Sequence, residues 1–294
     1  MSGLIQHLID AITLGSLYAV LAIGIALIFG IMNLINLAFG ELIMLGAYAL
    51  WLGNSLPWPL QILLCLVVTM VVALLMERIA FRPFRGASGP VLLVTSFAVS
   101  FALQSVMTVA VGSRAKGISL PGWLDRSIAL GGVTFTTLNV ITVVAMVVLI
   151  GGLATFLKRS MVGIQMRAAA ESFSTARLLG VRSDRVIGAA FVLSGLFAGV
   201  AALLIVAQTG TATPTMGAVP VLIAFVATII GGLGSLFGAA FGGFLLGALT
   251  VLLQVVLPGV LAPYRDALVY VGVLLVLLLR PEGLVVVRAL KERV

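Results

Sequence analysis

VIGAAFVLSGLFAGVAALLIVA, residues 186–207, contains no charged residue, and the charge-free stretch it opens runs from Val186 to Tyr264. About 20 mostly apolar residues in a helix cross the hydrocarbon core of a bilayer, where every backbone N–H and C=O must find a partner within the protein. A run of this length therefore reads as a membrane-spanning helix. The alternation over about 10 residues that marks a membrane β-barrel strand is absent. The rest of the chain agrees: 62% of its residues are hydrophobic, 9% are charged and the mean hydropathy is +1.29, far from the composition of a soluble domain. The expected fold is an all-α, polytopic helical bundle, a single membrane domain over residues 1–294.

Working outward, apolar runs extend from Leu8 to Gly30, Leu42 to Leu52, Leu60 to Met76, Val91 to Val111, Leu138 to Leu157, Val186 to Ala207, Val219 to Ile230, Leu236 to Leu257 and Ala267 to Leu279. The runs at Leu42 and Val219 fall short of a crossing and adjoin Gly- or Asn-bearing breaks, the pattern of re-entrant or broken helices in transporters. Eight or nine spans result. Two stretches, IFGIMNLINLAFGELIMLGAY from Ile28 and TIIGGLGSLFGAAFGGFLLG from Thr228, are loosely alike. One lies in each half, as an inverted repeat would leave them.

The net charge of +8 does not point to nucleic acid, because the basic residues sit between apolar runs. Arg78, Arg82 and Arg85 form one group, Lys158, Arg159, Arg167, Arg177, Arg182 and Arg185 a second, and Arg280, Arg288, Lys291 and Arg293 a third. With two spans between the first groups and four between the second and third, all three share one side, which the positive-inside tendency makes cytoplasmic. Arg114, Lys116, Arg126 and Arg265 then lie outside. Three spans before Arg78 place the N-terminus outside; if the Leu42 segment only dips into the membrane, it lies inside. No Lys or Arg precedes Arg78, so the first apolar run is expected to be retained rather than cleaved as a signal. Cys65 is the only cysteine, which excludes an intrachain disulfide and reads as a packed thiol.

No enzyme motif appears. The single histidine, His7, rules out an HExxH zinc site, and no GxxxxGK[ST] loop is present. No cofactor is expected on this chain, so any ATP and magnesium must be held by a partner. Gly234, Gly238 and Gly242 recur every fourth residue and suit either close helix packing or the lining of a path. Glu41 is the only acid or base between Asp10 and Glu77. At membrane depth it would be a functional group; beside the Asn33 to Gly40 break it would cap a helix or sit at the interface. Asn33 and Asn36 either satisfy freed backbone groups at that break or touch substrate.

Immediately before the charge-free stretch lies RAAAESFSTARLLGVRSDRV, residues 167–186. Met166, Ala169, Ala170, Phe173 and Ala176 follow helical spacing, which predicts one short amphipathic helix over 166–179. Gly180 would end it in the left-handed conformation. Ser183 and Asp184 would start the next helix. Such a helix either lies on anionic headgroups or docks a partner.

GSLYAVLAIGIALIFGIMNLINLAFGELIMLGAY from Gly15, ERIAFRPFR from Glu77, AAAESFSTARLLGVRSDRV from Ala168, GGLGSLFGAAFGGFLLG from Gly231 and LLVLLLRPEGL from Leu274 together resemble the permease subunit of bacterial high-affinity branched-chain amino acid ABC importers. The resemblance runs in order along nearly the whole chain and implies a multi-pass protein of the bacterial inner membrane. It implies as partners a second permease chain, in that family usually a paralogue, two ATP-binding subunits and a periplasmic substrate-binding protein. It further implies that residues 158–185 form a cytoplasmic coupling loop. Glu171 and Gly180 match the acidic and glycine positions of the loop pattern, and Arg167, Ala170, Arg182, Asp184 and Arg185 accompany them. The translocation path would involve Asn33, Asn36, Phe39, Glu41, Gly234, Gly238 and Gly242. The family commonly reads NFAHGE where this chain has NLAFGE, so Phe39 replaces a usual histidine. Close relatives of the family carry urea or short amides. The rival classes are a stand-alone secondary carrier or channel, which would use buried carboxylates or a His relay, and an intramembrane enzyme, which would need paired acids that the sequence lacks.

Overall fold

The computed structural model describes residues 2–284 apart from 125, 131–132, 259–260, 262–263 and 281–282. Arg288, Lys291 and Arg293, together with Pro281 and Glu282 of the tail motif, lie outside the described residues.

Eleven α-helices are described: α1 (Ser2–Met32), α2 (Phe39–Leu52), α3 (Trp58–Met76), α4 (Gly89–Val111), α5 (Thr137–Arg159), α6 (Met161–Glu171), α7 (Phe173–Leu178), α8 (Ser183–Thr209), α9 (Ala218–Gly231), α10 (Leu236–Val256) and α11 (Arg265–Leu279). A π-helical turn, Glu77–Phe81, and a 3-10 turn, Arg82–Phe84, extend α3. Six of the helical segments are long and apolar enough to cross a membrane; α2, α9 and α11 are shorter. Hydroxyls punctuate the junctions between them. Thr136, Ser160 and Ser235 accept the backbone N–H of Asn139, Gly163 and Gly238 and so start α5, α6 and α10, satisfying donors that lipid would leave unpaired.

The path of the chain follows from which ends meet. The end of α1 (Met32, Asn33), the residues after α3 (Arg85 to Ala87), the start of α4 (Leu92), α7 (Arg177) and the start of α8 (Ser183) line one cavity. Leu157 near the end of α5 and Gly234 before α10 adjoin Gly30 of α1 in another. This is the basic face. On the opposite face, Asp10 of α1, Asn139 of α5, Gln208 of α8 and Gln254 of α10 surround a third cavity. There, too, the short strands Lys116–Gly117 and Thr211–Ala212 pair, and Arg265 bonds Gln254 at 3.3 Å. A hairpin of Ser127–Leu130 and Val133–Thr136 precedes α5. The described chain thus traverses the bundle nine times. α2 continues to the opposite face, where the Lys116 ammonium lies 5.3 Å from the centre of the Trp51 ring. The Leu42 segment does not merely dip, and the N-terminus lies opposite the basic face.

α1 and α8 lie inside the bundle, while α4 and α5 form its edge. α8 approaches α3 closely because Gly195 presents no side chain: a Cβ there would lie 2.7 Å from the Thr69 carbonyl oxygen. Cys65 is buried at the same seam, with Sγ 3.6 Å from the Gly199 carbonyl oxygen.

The order full helix, non-helical return, half-helix, full helix occurs twice. It runs as α1, residues 33–38, α2, α3, and again, inverted across the membrane, as α8, residues 210–217, α9, α10. This corrects the register suggested by the two look-alike stretches. The counterpart of the Asn33 break is the segment 210–217, whereas the Gly231 to Ser235 stretch is a turn on the basic face with positive φ at Gly232 and Gly234. Glycine-rich apolar sequence looks alike whether it serves a turn or a tight helix contact.

Candidate functional site

Two half-helices begin in the middle of the bundle and diverge to opposite faces. α2 starts at Phe39 and α9 at Ala218. The residues just inside and just before these starts, Gly40 and Gly217, are in backbone contact, since a Cβ on either would collide with the other's carbonyl group. The non-helical lead-in to α2 is held by Asn36, which is fully buried and whose Oδ1 accepts the Ala38 N–H at 3.1 Å. Phe39 is fully buried and fills the space opposite Gly24 beside Phe197. A Cβ at position 24 would force the Phe39 ring to shift.

Glu41 lies in the first turn of α2, 4% exposed. It neither caps the helix, whose N-cap is Ala38 without a side-chain bond, nor reaches an interface, so both of those placements are corrected. The backbone turns into α2 through an Asx bond from Asn36, which leaves the carboxylate free to point sideways at α4. There Oε1 accepts the Ser100 hydroxyl at 2.8 Å, while Oε2 is buried without a partner. Three α4 side chains at four-residue spacing face the junction, two of them the lead-in segments and one the first turn of α2. Ser96 accepts the Leu37 N–H at 3.4 Å, Ser100 donates to Glu41, and Gln104 donates to the Pro214 carbonyl at 3.4 Å.

The other path candidates lie elsewhere. Asn33 is exposed at the basic-face end of α1, with a left-handed φ of 51°. Gly234 is in the turn before α10 rather than on it. Gly238 and Gly242 pack α10 against the backbone of Gly231 and Ala227 in α9. Ser100, Gln104 and Gly217 were not singled out by the sequence; the signal for the first two is the polar spacing 96, 100, 104 along one face of α4, which also carries Thr95, Ser105 and Thr108.

On the basic face, residues 158–185 form a helix–break–helix–turn. The single amphipathic helix expected over 166–179 is in fact two, α6 and α7, because Ser172 adopts an extended φ of −154° and its hydroxyl accepts the Thr175 N–H. Serine competes with helix continuation by offering this alternative bond. Met166, Ala169 and Ala176 are buried as the spacing predicts, but Ala170 is exposed. Arg167, Glu171, Gly180, Arg182, Asp184 and Arg185 are exposed as well. Arg167, Ala170 and Glu171 line the cavity shared with Gly30 and Gly234. Gly180 has φ +85°, ending the pair of helices as expected. α8 begins at Ser183, but Arg182 is the N-cap and no side-chain cap bond forms. Asp184 instead pairs with Arg82 at 3.0 Å and with Arg85. Arg85 also pairs with Glu77, which the π-turn tucks to 2% exposure. The same turn brings Phe81 against Phe191, with ring centres 5.4 Å apart. Leu178 and Leu179, at the end of α7, are 89% and 80% exposed, a pair of apolar side chains that no amphipathic spacing flagged.

Among the described residues no three His, Cys, Asp or Glu side chains converge to hold a metal ion.

The family described as "Branched-chain amino acid transport system / permease component" matches residues 7–279. The chain is similar to the high-affinity branched-chain amino acid transport system permease protein BraD of Pseudomonas aeruginosa, with 33% identity over 95% of each chain. It is similar to the permease protein LivH of Escherichia coli K12, with 30% identity over 95% of this chain and 94% of the relative. It is also similar to the probable branched-chain amino acid transport permease protein LivH of Methanocaldococcus jannaschii, with 27% identity over 81% of this chain and 77% of the relative. No solved structure matches the chain.

Proposed function

The chain belongs to the family of permease components of branched-chain amino acid transport systems, and on that premise we propose that it forms half of the membrane path of an ABC importer for branched-chain amino acids. It is a multi-pass membrane permease. Its basic face is the cytoplasmic one by the positive-inside tendency. A second permease chain, a paralogue, completes the path, two ATP-binding subunits sit on the basic face, and a periplasmic binding protein delivers the amino acid to the opposite face. ATP and magnesium act on the partner subunits.

The observation that carries this reading is the exposed α6–α7 protrusion. Leu178 and Leu179 at the end of α7 are 89% and 80% exposed, and Arg167, Arg177, Arg182 and Arg185 are exposed in the same segment, a combination suited to a groove on another protein. Glu171 and Gly180 act as contact and hinge of that handle. For the cycle to turn, ATP and the loaded binding protein must each bind one conformation of the permease more tightly than the other. The half-helix junction at Gly40 and Gly217 is where such a difference opens or closes a path, with Asn36, Phe39 and Glu41 around it. The packing glycines Gly238 and Gly242 hold α10 to α9 as that half moves.

The test is association. Expressed with the ATPase chains of the same transport system, the permease retains them through purification, and Glu171→Lys, which reverses the charge on the handle, releases them. Amino acid uptake by the permease in vesicles lacking any ATPase would sink the proposal in favour of a stand-alone carrier.

A further inference from the structure

We propose that Glu41 is the point at which the path grips its cargo, its free carboxylate oxygen accepting a hydrogen bond from the α-ammonium group of an amino acid zwitterion at mid-membrane. This rests on the function proposed above and names the chemistry of recognition within it.

Depth comes first. Ser100, the hydrogen-bond partner of Glu41, is the central residue of α4 (Gly89–Val111), so the carboxylate sits at the middle of a membrane-crossing helix. An ionisable side chain at that depth is costly and is retained where it pairs with something. Among the described residues no Arg, Lys or His pairs with Glu41. Oε1 is satisfied by Ser100, and Oε2 is buried with no partner. A side chain needed only to accept the Ser100 hydroxyl would be served by an amide at lower desolvation cost. A carboxylate with one oxygen anchored and the other vacant is instead a fixed acceptor for a cationic donor, and such charge-assisted bonds are the strong ones.

Access comes second. Glu41 follows Gly40, whose backbone abuts Gly217. At that seam backbone meets backbone, with only the Val221 side chain beside Gly40. α4 straddles the seam, bonding the lead-in of α2 through Ser96 and that of α9 through Gln104. Separation of the halves across these bonds uncovers Oε2 beside the N-termini of α2 and α9. Helix N-termini carry partial positive charge and favour an anionic group. The junction thus offers an acceptor for the ammonium and a positive field for the carboxylate of one zwitterion.

The experiment uses the complete transporter, both permease chains with ATPases and binding protein, in proteoliposomes with L-leucine as the probe. The readout is ATP hydrolysed per leucine taken up. Glu41→Gln keeps the Ser100 bond and removes the charge, and the ratio rises about tenfold or more, the scale of one charge-assisted hydrogen bond. Glu41→Asp keeps the charge but draws it back by one methylene, and the ratio rises less; it is read in the same way if the Gln variant does not assemble. A ratio that stays at the wild-type value, whether both rates hold or both fall, overturns the proposal. Absence of leucine uptake by the wild-type complex overturns the function on which it rests.

Discussion

Gly40 and Gly217 meet backbone to backbone at the point where α2 and α9 begin, although 177 positions separate them in the chain. Each is the residue that allows the other's helix to start where it does, since a Cβ on either side enters the opposing carbonyl. Gly217→Ala is therefore expected to wedge the half-helices apart. Overpacking of this kind costs about 1–3 kcal/mol, which thermal melting of the purified permease detects as a lowered midpoint. The control is Gly151→Ala in α5, where a Cβ meets nothing within 4 Å and alanine gains roughly 0.5–1 kcal/mol of backbone preference. That variant melts no lower than the parent. Equal effects at the two sites would remove the special status of the junction.

The sidedness of the bundle is checked by chemistry. Cys65 is the only cysteine and is buried, so Cys65→Ala gives a background without a reactive thiol. On it, Arg114→Cys should react with a membrane-impermeant maleimide from the periplasmic side, and Leu178→Cys only from the cytoplasmic side. Labelling of Leu178→Cys in intact spheroplasts would invert the topology and remove the ATPase-facing handle with it.

The crossings were legible in the sequence because a bilayer imposes one rule on every span, and Leu42 and Val219 announced their half-helices by being too short. The break at Ser172 was less legible, because apolar spacing continues through it at Phe173 and Ala176 while one hydroxyl diverts the backbone. Contacts set by distant parts of the chain were not legible at all. Nothing near Gly217 shows that it meets Gly40, and nothing near Asp184 shows that its carboxylate faces Arg82 and Arg85 rather than capping α8. Glu41 stands out in sequence as an isolated acid, but its depth became evident only from Ser100 at the centre of α4.

Leu178 and Leu179 extend the handle beyond its charged residues. Leu178→Asp is expected to lower the amount of ATPase retained on the purified permease about tenfold, the effect of losing one well-buried apolar anchor at an interface. At 89% exposure the side chain contributes little to the fold, so the melting midpoint stays where it was. Full retention of the ATPase would place the contact elsewhere on the basic face.

Arg85 ties together two parts of that face: one guanidinium nitrogen pairs with Glu77 at the π-turn after α3, and another with Asp184 at the start of α8. The two pairs are unequal. The side chains of Arg85 and Glu77 are 19% and 3% exposed, whereas that of Asp184 is 62% exposed. Removing one member of a buried pair strands the other charge and costs about 3–5 kcal/mol, while exposed pairs are screened by water and salt. Arg85→Ala should therefore lower the melting midpoint far more than Asp184→Asn. Arg85→Lys should fall between them, because an ammonium cannot present the two-pronged fork that reaches both carboxylates. Adding Glu77→Gln to Arg85→Ala should recover part of the loss, since the stranded charge is then gone, and the combined effect should be smaller than that of Arg85→Ala alone. Strict additivity of the two substitutions would show that Arg85 holds the face together through something other than Glu77.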